Sequence, residues 1–517
     1  MRKELYLAVF VSGMSSLAIE MAASRLLGNV FGTSNLVWAS IIGLILIYIA
    51  VGNFFGGRWA DRSPSMGLFY RIILWAGFSS CLIPVIARPI LRFAANGFDH
   101  LQLGALAGSF LVILILMCVP IILMGTISPF AIKLAIQDTQ TVGNISGRIY
   151  GVSTFGSFLG TFLPVLILIP LLGTYRTFLS IGGILMLLAL WGIFRHLGWR
   201  SGFYHCVTFL LVIGLWIWGL PGTVKSSEGM IYETESAYNY IQVLEENGYH
   251  LLRLNEGQGI HSIYHPEYIN YAGPWEQVLV APFFNTPPYE LDRIERIAIV
   301  GLAAGTTARQ ASAVFGDIPI DGYEIDPKIV EVGRTYFGMT MPNLNVIVQD
   351  GRWGLSKSSY QYQIISIDAY RPPYIPAHMT TQEFFQVAYD RLTPDGVMVI
   401  NVGRAPSDRR LVDALSTTIL TVFPSLHVMD VPNSFNSIIF ATKTPTMESN
   451  LIENINYLAQ QEPPIHELLQ YAMATAYMNL QPAPASTLVF TDDKAPVEWI
   501  TNNMVINFLF QETLELN

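Results

Sequence analysis

Long apolar runs separated by short polar breaks fill the first 220 residues. A helix that crosses a bilayer needs about 20 apolar residues. Seven stretches meet that requirement: 5–27, 35–57, 68–90, 104–126, 149–172, 176–194 and 203–220. The first is too long, and too closely followed by others, for a cleaved signal peptide. Gly52 and Gly56, and again Gly156 and Gly160, stand four residues apart. That spacing lets helix backbones approach closely where lipid gives helices no hydrophobic reason to associate. Glu20 lies inside the first run, with Arg25 nearby. An ionisable group at that depth faces the bundle interior or a wet cavity. It reads as a polar clamp between helices or, alternatively, as a transport or substrate site.

The stretch Gly56–Arg62, GGRWADR, resembles the short cytoplasmic loop between helices two and three of major-facilitator transporters. That places the loop and the N-terminus in the cytoplasm. Arg2, Lys3, Arg58, Arg62, Arg71, Lys133, Arg148, Arg195 and Arg200 fall on the N-terminal side. Arg25, Arg88, Arg92, Arg176 and Lys225 fall on the other. The basic excess marks the cytoplasmic face. Seven crossings from inside would leave the remainder of the chain outside. Either one candidate does not span, an eighth crossing is hidden, or the soluble half is external.

Beyond a polar link at 221–235 the period changes. YNYIQVLEENGYHLLRL holds two alternating runs around Asn247-Gly248, a strong hairpin signal. A compact β unit is expected at about 231–265, followed by a helical stretch with Trp275 and Glu276. From 296 onward strands alternate with helices: RIAIVGL, IPIDGYEID, LNVIVQD, YQIISIDAY and GVMVINVG. Such alternation implies a mostly parallel sheet covered on both faces. The predicted organisation is a helical membrane domain at 1–220, a small β subdomain and connecting helix at 231–295, and an α/β domain at 296–517.

Composition narrows the chemistry. Net charge is −9, and no block of Lys and Arg suggests a nucleic-acid surface, so nucleic acid is not an expected partner. Cys81, Cys118 and Cys206 lie in or beside apolar runs without zinc-type spacing. They read as core residues, and no metal is expected.

Several predicted strands end on carboxylates: Glu324 and Asp326, Asp350, and Asp368. In open α/β sheets the ligand sits outside those strand ends. Gly301 closes the first strand, but the dinucleotide fingerprint would next want glycine where the chain has Ala303 and Thr306. Gly305 still allows close approach. Glu324, 23 residues past Gly301, stands where an acid accepts hydrogen bonds from ribose hydroxyls. A ribose without a pyrophosphate points to an S-adenosyl nucleoside. Asp350 would face the adenine amino group, and Asp368 the reacting end of the ligand.

From about Glu235 to Val402 the chain resembles the spermidine synthase family of aminopropyltransferases, in its membrane-fused form. The resemblance implies a β subdomain followed by a Rossmann-like domain of the S-adenosyl-donor transferase type. The family's glycine loop matches Gly301, Gly305 and Arg309, and its ribose-binding acid matches Glu324. Its adenine-contacting pair matches Asp350-Gly351, its early glutamine matches Gln242, and its catalytic aspartate matches Asp368 in DAYRPP. TTQEFF resembles the family's helix start. Decarboxylated S-adenosylmethionine, or S-adenosylmethionine itself, is then the donor and a di- or polyamine the acceptor. A homodimer is the expected assembly.

Two positions depart from the family. Ala304 replaces the loop aspartate that grips the donor amine, and Arg371 replaces the second acid of the Asp-x-x-Asp stretch. Asp492, Asp493 and Glu498, in FTDDKAPVE, resemble a stretch of the membrane-fused relatives and would close over the site to bind an amine. Their other reading is a helix cap and a solvated turn. Arg371 and Trp275 are assigned to the substrate side. His261 and His378 border the cleft as polar loop residues without an acid partner. Three functions follow: aminopropyl transfer, methyl transfer to a membrane-proximal acceptor, or transport with a ligand-sensing soluble domain. The expected location is the cell membrane, multi-pass, with the soluble half in the cytoplasm where S-adenosyl donors are made.

Overall fold

The computed structural model describes residues 2–31, 35–99, 103–136, 142–219, 227–255, 259–370, 374–482 and 486–515. Two compact units form. One comprises Met1–Ser227, Glu235–Tyr240 and Asn255–Gly257. The other comprises Glu228–Thr234, Ile241–Leu254 and Gln258–Asn517.

The first unit is helical: α1 (Arg2–Phe31), α2 (Asn35–Arg62), α3 (Met66–Asp99), α4 (Leu103–Ala135), α5 (Val142–Leu163), α6 (Ile169–Leu197) and α7 (Trp199–Trp218). Six stretches among the described residues are long and apolar enough to cross a membrane, one of them the 56-residue Val142–Leu197. At 1.5 Å per residue that stretch would run about 84 Å, far beyond a hydrocarbon core of about 30 Å. It breaks at Gly173, whose φ of 76° and ψ of 167° no helix accommodates. The stretch is therefore two helical arms, where the sequence reads two separate apolar runs.

The glycine pairs behave as their spacing predicts. A Cβ on Gly156 or Gly160 would strike the carbonyls of Phe10 and Met14, so α5 lies directly on α1. One on Gly52 or Gly56 would strike Ile122 and Thr126 of α4. Helix α7 packs antiparallel along α6. The Tyr175 hydroxyl donates to the Leu215 carbonyl (3.4 Å) at one end, and Gly202 abuts Phe194 at the other. The seventh run therefore extends as far as the sixth.

The expected polar clamp at Glu20 does not form. Glu20 is buried, and among the described residues no hydrogen bond or ion pair reaches it. Arg25 turns instead to the segment Glu235–Tyr240, donating to the carbonyls of Tyr238 (3.0 Å) and Ser236 (2.5 Å). The Glu235 carboxylate accepts from the Thr174 amide (3.0 Å) and hydroxyl (2.8 Å), capping the helix that restarts after Gly173.

Apart from Glu235 and Tyr240, the second unit opens with a four-stranded sheet of β1 (Met230–Glu235), β2 (Tyr240–Glu246), β3 (Tyr249–Leu254) and β4 (Ile260–Tyr264), paired in sequence order. Glu246 pairs with Tyr249 across Asn247 and Gly248, at φ 52° and 83°. Both signs are those of the two-residue turn the sequence predicts. Trp275 starts a 3-10 segment, Glu276–Phe284, where the sequence suggests a regular helix.

An eight-stranded sheet follows. Its strands are β5 (Ile297–Val300), β6 (Ile320–Glu324), β7 (Leu344–Val348), β8 (Tyr362–Ile367), β9 (Leu392–Gly403), β10 (Ser425–Asp430), β11 (Asn436–Thr442) and β12 (Leu480–Gln481). The order is β12-β10-β11-β9-β8-β5-β6-β7, parallel from β7 to β9 and antiparallel beyond. Around it lie α8 (Thr306–Phe315), α9 (Pro327–Tyr336), α10 (Gly351–Lys357), α11 (Gln382–Arg391), α12 (Arg410–Ile419), α13 (Ser449–Leu458), α14 (Glu467–Met478) and α15 (Val497–Glu515).

Both faces of the sheet are covered. Ile297 and Ile299 pack with Phe283 and Phe440 on one side, while Ala298 and Val300 pack with Ile365 and Phe384 on the other. This is why the parallel strands read as unbroken apolar runs. The chain winds from β5 outward to β7, then returns to β8 on the opposite side of β5. A crevice therefore opens at the carboxyl ends of β5 and β8.

Candidate active site

The turn after β5 is built by two left-handed glycines, Gly301 at φ 89° and Gly305 at φ 86°. A Cβ on Gly301 would collide with the Asp368 backbone, so only glycine lets the ends of β5 and β8 meet. Gly305 opens α8 and lies under Met339. Ala303 holds a positive φ of 48° without being glycine. Its amide donates to Glu324 at 2.9 Å, which repays part of that strain.

Glu324 ends β6 with its carboxylate buried. One oxygen accepts from the Ala303 amide and the other from the Asp326 amide (3.0 Å). Burial raises its pKa to about 7 against the lowering effect of those amides, and Asp326 adds repulsion. Each oxygen keeps a second lone pair for a ligand hydroxyl. Asp326 itself caps α9 through the Lys328 amide (3.0 Å).

Asp350 follows β7 and caps α10, accepting from the Trp353 amide at 2.8 Å. Its other oxygen lies 3.1 Å from His378 Nε2. His378 thus has an acid partner, contrary to the sequence reading. Gly351 is required by packing, since a Cβ there would meet Val300. His261 also differs from expectation. It stands on β4 rather than in a loop, its Nε2 has no partner among the described residues, and burial pushes its pKa down to about 4.

Asp368 closes β8, and its amide donates to the Val300 carbonyl (2.8 Å). Its carboxylate accepts from Asn401 Nδ2 at 2.9 Å. Burial lifts its pKa to about 6, opposed by that hydrogen bond. The Tyr370 hydroxyl accepts from the Gly403 amide (2.6 Å) and donates to the Asn401 carbonyl (3.2 Å), tying the loop after β8 to the end of β9. Asn401 is the site residue that sequence reasoning missed. Its signal was present: it is the single polar residue inside the apolar run VMVINVG.

The remaining assignments scatter. Gln242 is buried on β2, and its Nε2 donates to Met230 Sδ (3.1 Å). Its neighbours Ile241 and Val243 pack with Ala304, Ile329 and Phe337, so strand alternation turns Gln242 to the face away from the glycine loop. Ala304 is buried in that apolar cluster. Trp275 is buried edge-on against Tyr271 rather than lining an open cleft. Arg309 lies over the rings of Tyr264 and Tyr271.

Asp492 is not free to bind an amine. Arg352 grips both its oxygens at 2.7 Å, Thr381 donates to it at 2.7 Å, and these bonds hold its pKa down to about 2. It joins the Thr491–Lys494 turn to the start of α11, a structural role closer to the cap reading. Asp493 is exposed on that turn, and Glu498 is half-buried in the first turn of α15. Arg371 lies outside the described residues. The structure therefore gathers Gly301, Gly305, Glu324, Asp350, Gly351 and Asp368 at one edge of the sheet, with Asn401 added.

Residues 287–454 match the model of the Spermine/spermidine synthase domain. Three curated relatives agree in part. The chain is 31% identical over 291 residues to the "Probable polyamine aminopropyl transferase" of Bifidobacterium longum (strain NCC 2705), covering 54% of this chain and 64% of that protein. It thus spans less than two thirds of that relative's length. It is 27% identical over 258 residues to the polyamine aminopropyltransferase of Vibrio vulnificus (strain CMCP6), covering 47% and 79%. It is 27% identical over 162 residues to the human eEF1A lysine and N-terminal methyltransferase, covering 29% and 23%.

Proposed function

We propose that the part of the chain matching the Spermine/spermidine synthase domain transfers an aminopropyl group from decarboxylated S-adenosylmethionine to a di- or polyamine. The observation that carries the reading is Asp368. It is a partly desolvated carboxylate held by Asn401 beside the glycine turn, with Glu324 and Asp350 at the adjoining strand ends. Those two acids would hold the ribose and adenine, with Gly301 and Gly305 leaving room for the nucleoside.

The reaction needs little help at sulfur, because a sulfonium is already a good leaving group. Its difficulty is the acceptor, since an ammonium has no lone pair. Asp368 takes the proton, and the freed nitrogen attacks the propyl carbon. The carbon–sulfur bond breaks, and methylthioadenosine leaves with the bonding electrons. Calorimetry and product analysis on the purified full chain test this. The expected result is tight binding of decarboxylated donor and methylthioadenosine, with methylthioadenosine released only when a diamine is present. Methylated product from intact S-adenosylmethionine, with no aminopropyl product, would overturn it. Ala304 favours that second reading. With its methyl group in an apolar cluster, the loop presents no acid to repel a methionine carboxylate.

The helical unit is the membrane anchor of this reading. Phe54, Leu111, Phe158, Leu166, Phe203 and Leu210 all stand exposed on its helices. Water penalises so large an apolar surface and lipid does not. Because α7 runs back along α6, the chain leaves the bundle on the side opposite its N-terminus. With the soluble half in the cytoplasm, beside its donor, the N-terminus lies outside. The basic excess of that face then opposes the usual charge bias; supply of the donor decides the orientation. In intact cells, Ser358→Cys is expected to resist an impermeant maleimide while Ser63→Cys is labelled. The reverse pattern would leave the transferase without its donor.

A further inference from the structure

At the carboxyl end of α2 a cavity of about 410 Å³ is lined by Phe55, Arg58, Trp59, Arg62, Ile122, Leu123 and Thr126. Its shape comes from the glycine contact already described. Gly52 and Gly56 draw α2 onto α4, and Arg58 and Arg62 stand on the exposed side of α2 beside that contact. Both arginines are exposed, and among the described residues neither is in a hydrogen bond or an ion pair. The nearby acid, Asp61, is taken by Lys133 at 2.7 Å. Arg58 lies over the Phe54 ring at 4.1 Å, which fixes its guanidinium at the rim.

The cavity joins two kinds of chemistry. Ile122, Leu123 and Phe55 give the cavity an apolar lining, and the ring of Phe54 is exposed beside it. Trp59 is an amphipathic ring of the kind that settles at headgroup depth. Two unpaired guanidiniums one helical turn apart beside an apolar lining fit a phosphate carrying acyl chains, because a guanidinium fork matches phosphate geometry.

We propose that this cavity binds one anionic phospholipid, with Arg58 and Arg62 on its headgroup phosphate and an acyl chain along Phe55 and Leu123. The proposal rests on the bilayer-spanning reading of the helical unit. It is independent of the reaction assigned to the other unit.

The test uses the full chain, extracted from membranes and placed in nanodiscs of phosphatidylcholine with or without phosphatidylglycerol. Recovery in the carbonate-resistant membrane fraction checks the bilayer reading separately. Retained phosphatidylglycerol is counted by native mass spectrometry. A basic group near a membrane surface is worth about fivefold in anionic lipid affinity, so Arg58→Gln with Arg62→Gln is expected to weaken retention roughly thirtyfold. The lysine pair, Arg58→Lys with Arg62→Lys, keeps most of it, and Arg148→Gln leaves it unchanged. If the double variant is not recovered, Arg62→Gln alone is expected to give about a fivefold loss. Equal retention by the glutamine variants would overturn the proposal. So would an equal loss in Arg148→Gln, which would mark a diffuse charge effect. Inorganic phosphate displacing the lipid at millimolar concentration would mark a free-phosphate site instead.

Discussion

Asp368→Asn is expected to leave donor binding nearly intact and to cut turnover at least about a hundredfold, the lower end of general-base contributions. The amide keeps the size of the side chain and can still meet Asn401. What it cannot do is accept the proton of an ammonium. Orientation of the nitrogen in line with the carbon–sulfur bond would be lost with it, which enlarges the effect. The raised pKa of about 6 gives the sign of the pH dependence. Asp368 is protonated and inactive below about 6 and ionised above it. Turnover in the native protein should rise through that pH, and the limb should vanish in the variant. Single-turnover release of methylthioadenosine separates this step from binding. A variant that turned over the true acceptor at native rate would remove Asp368 as the base and favour methyl transfer to an acceptor that needs no deprotonation.

Glu324→Gln should weaken methylthioadenosine binding about ten- to a hundredfold, the range for hydrogen bonds to a charged group. Two effects combine. The ribose hydroxyls lose an ionised acceptor, and the new amide must face either the Ala303 or the Asp326 amide, donor against donor. With a carboxyl pKa of about 7, native affinity should increase as pH rises through 7, because the ionised form is the better acceptor. Calorimetry at pH 6 and pH 8 checks both points. Methylthioadenosine carries no amine, so a loss seen with it cannot be assigned to the acceptor side. Unchanged binding at both pH values would remove Glu324 from the nucleoside site.

These two acids were legible in the sequence because each stands at the end of an apolar strand, where direction and spacing are set locally. Asp492 was legible as an acid but not in its role. Its partner Arg352 lies 140 residues away, and nothing in FTDDKAPVE announces a guanidinium. The same distance problem hid the pairing of His378 with Asp350 and of Asn401 with Asp368. Gln242 was legible only as a strand position. Only the packing of Ile241 and Val243 against Ala304 reveals which face is which.

The sequence by itself determined the seven apolar runs, the two-residue hairpin at Asn247-Gly248, the five parallel strands and the row of acids beyond them. Each is written in periods of two or about four residues, and in residues such as glycine whose backbone freedom acts where they stand. Tertiary structure alone decided the break at Gly173 and its cap by Glu235, the turning of Arg25 to the 235–240 segment, and the antiparallel strands β10 to β12. It alone decided which carboxylates stay available to a ligand. A charge finds its partner only when distant segments are brought together, and burial, which sets the pKa values of Glu324 and Asp368, does not exist until they are.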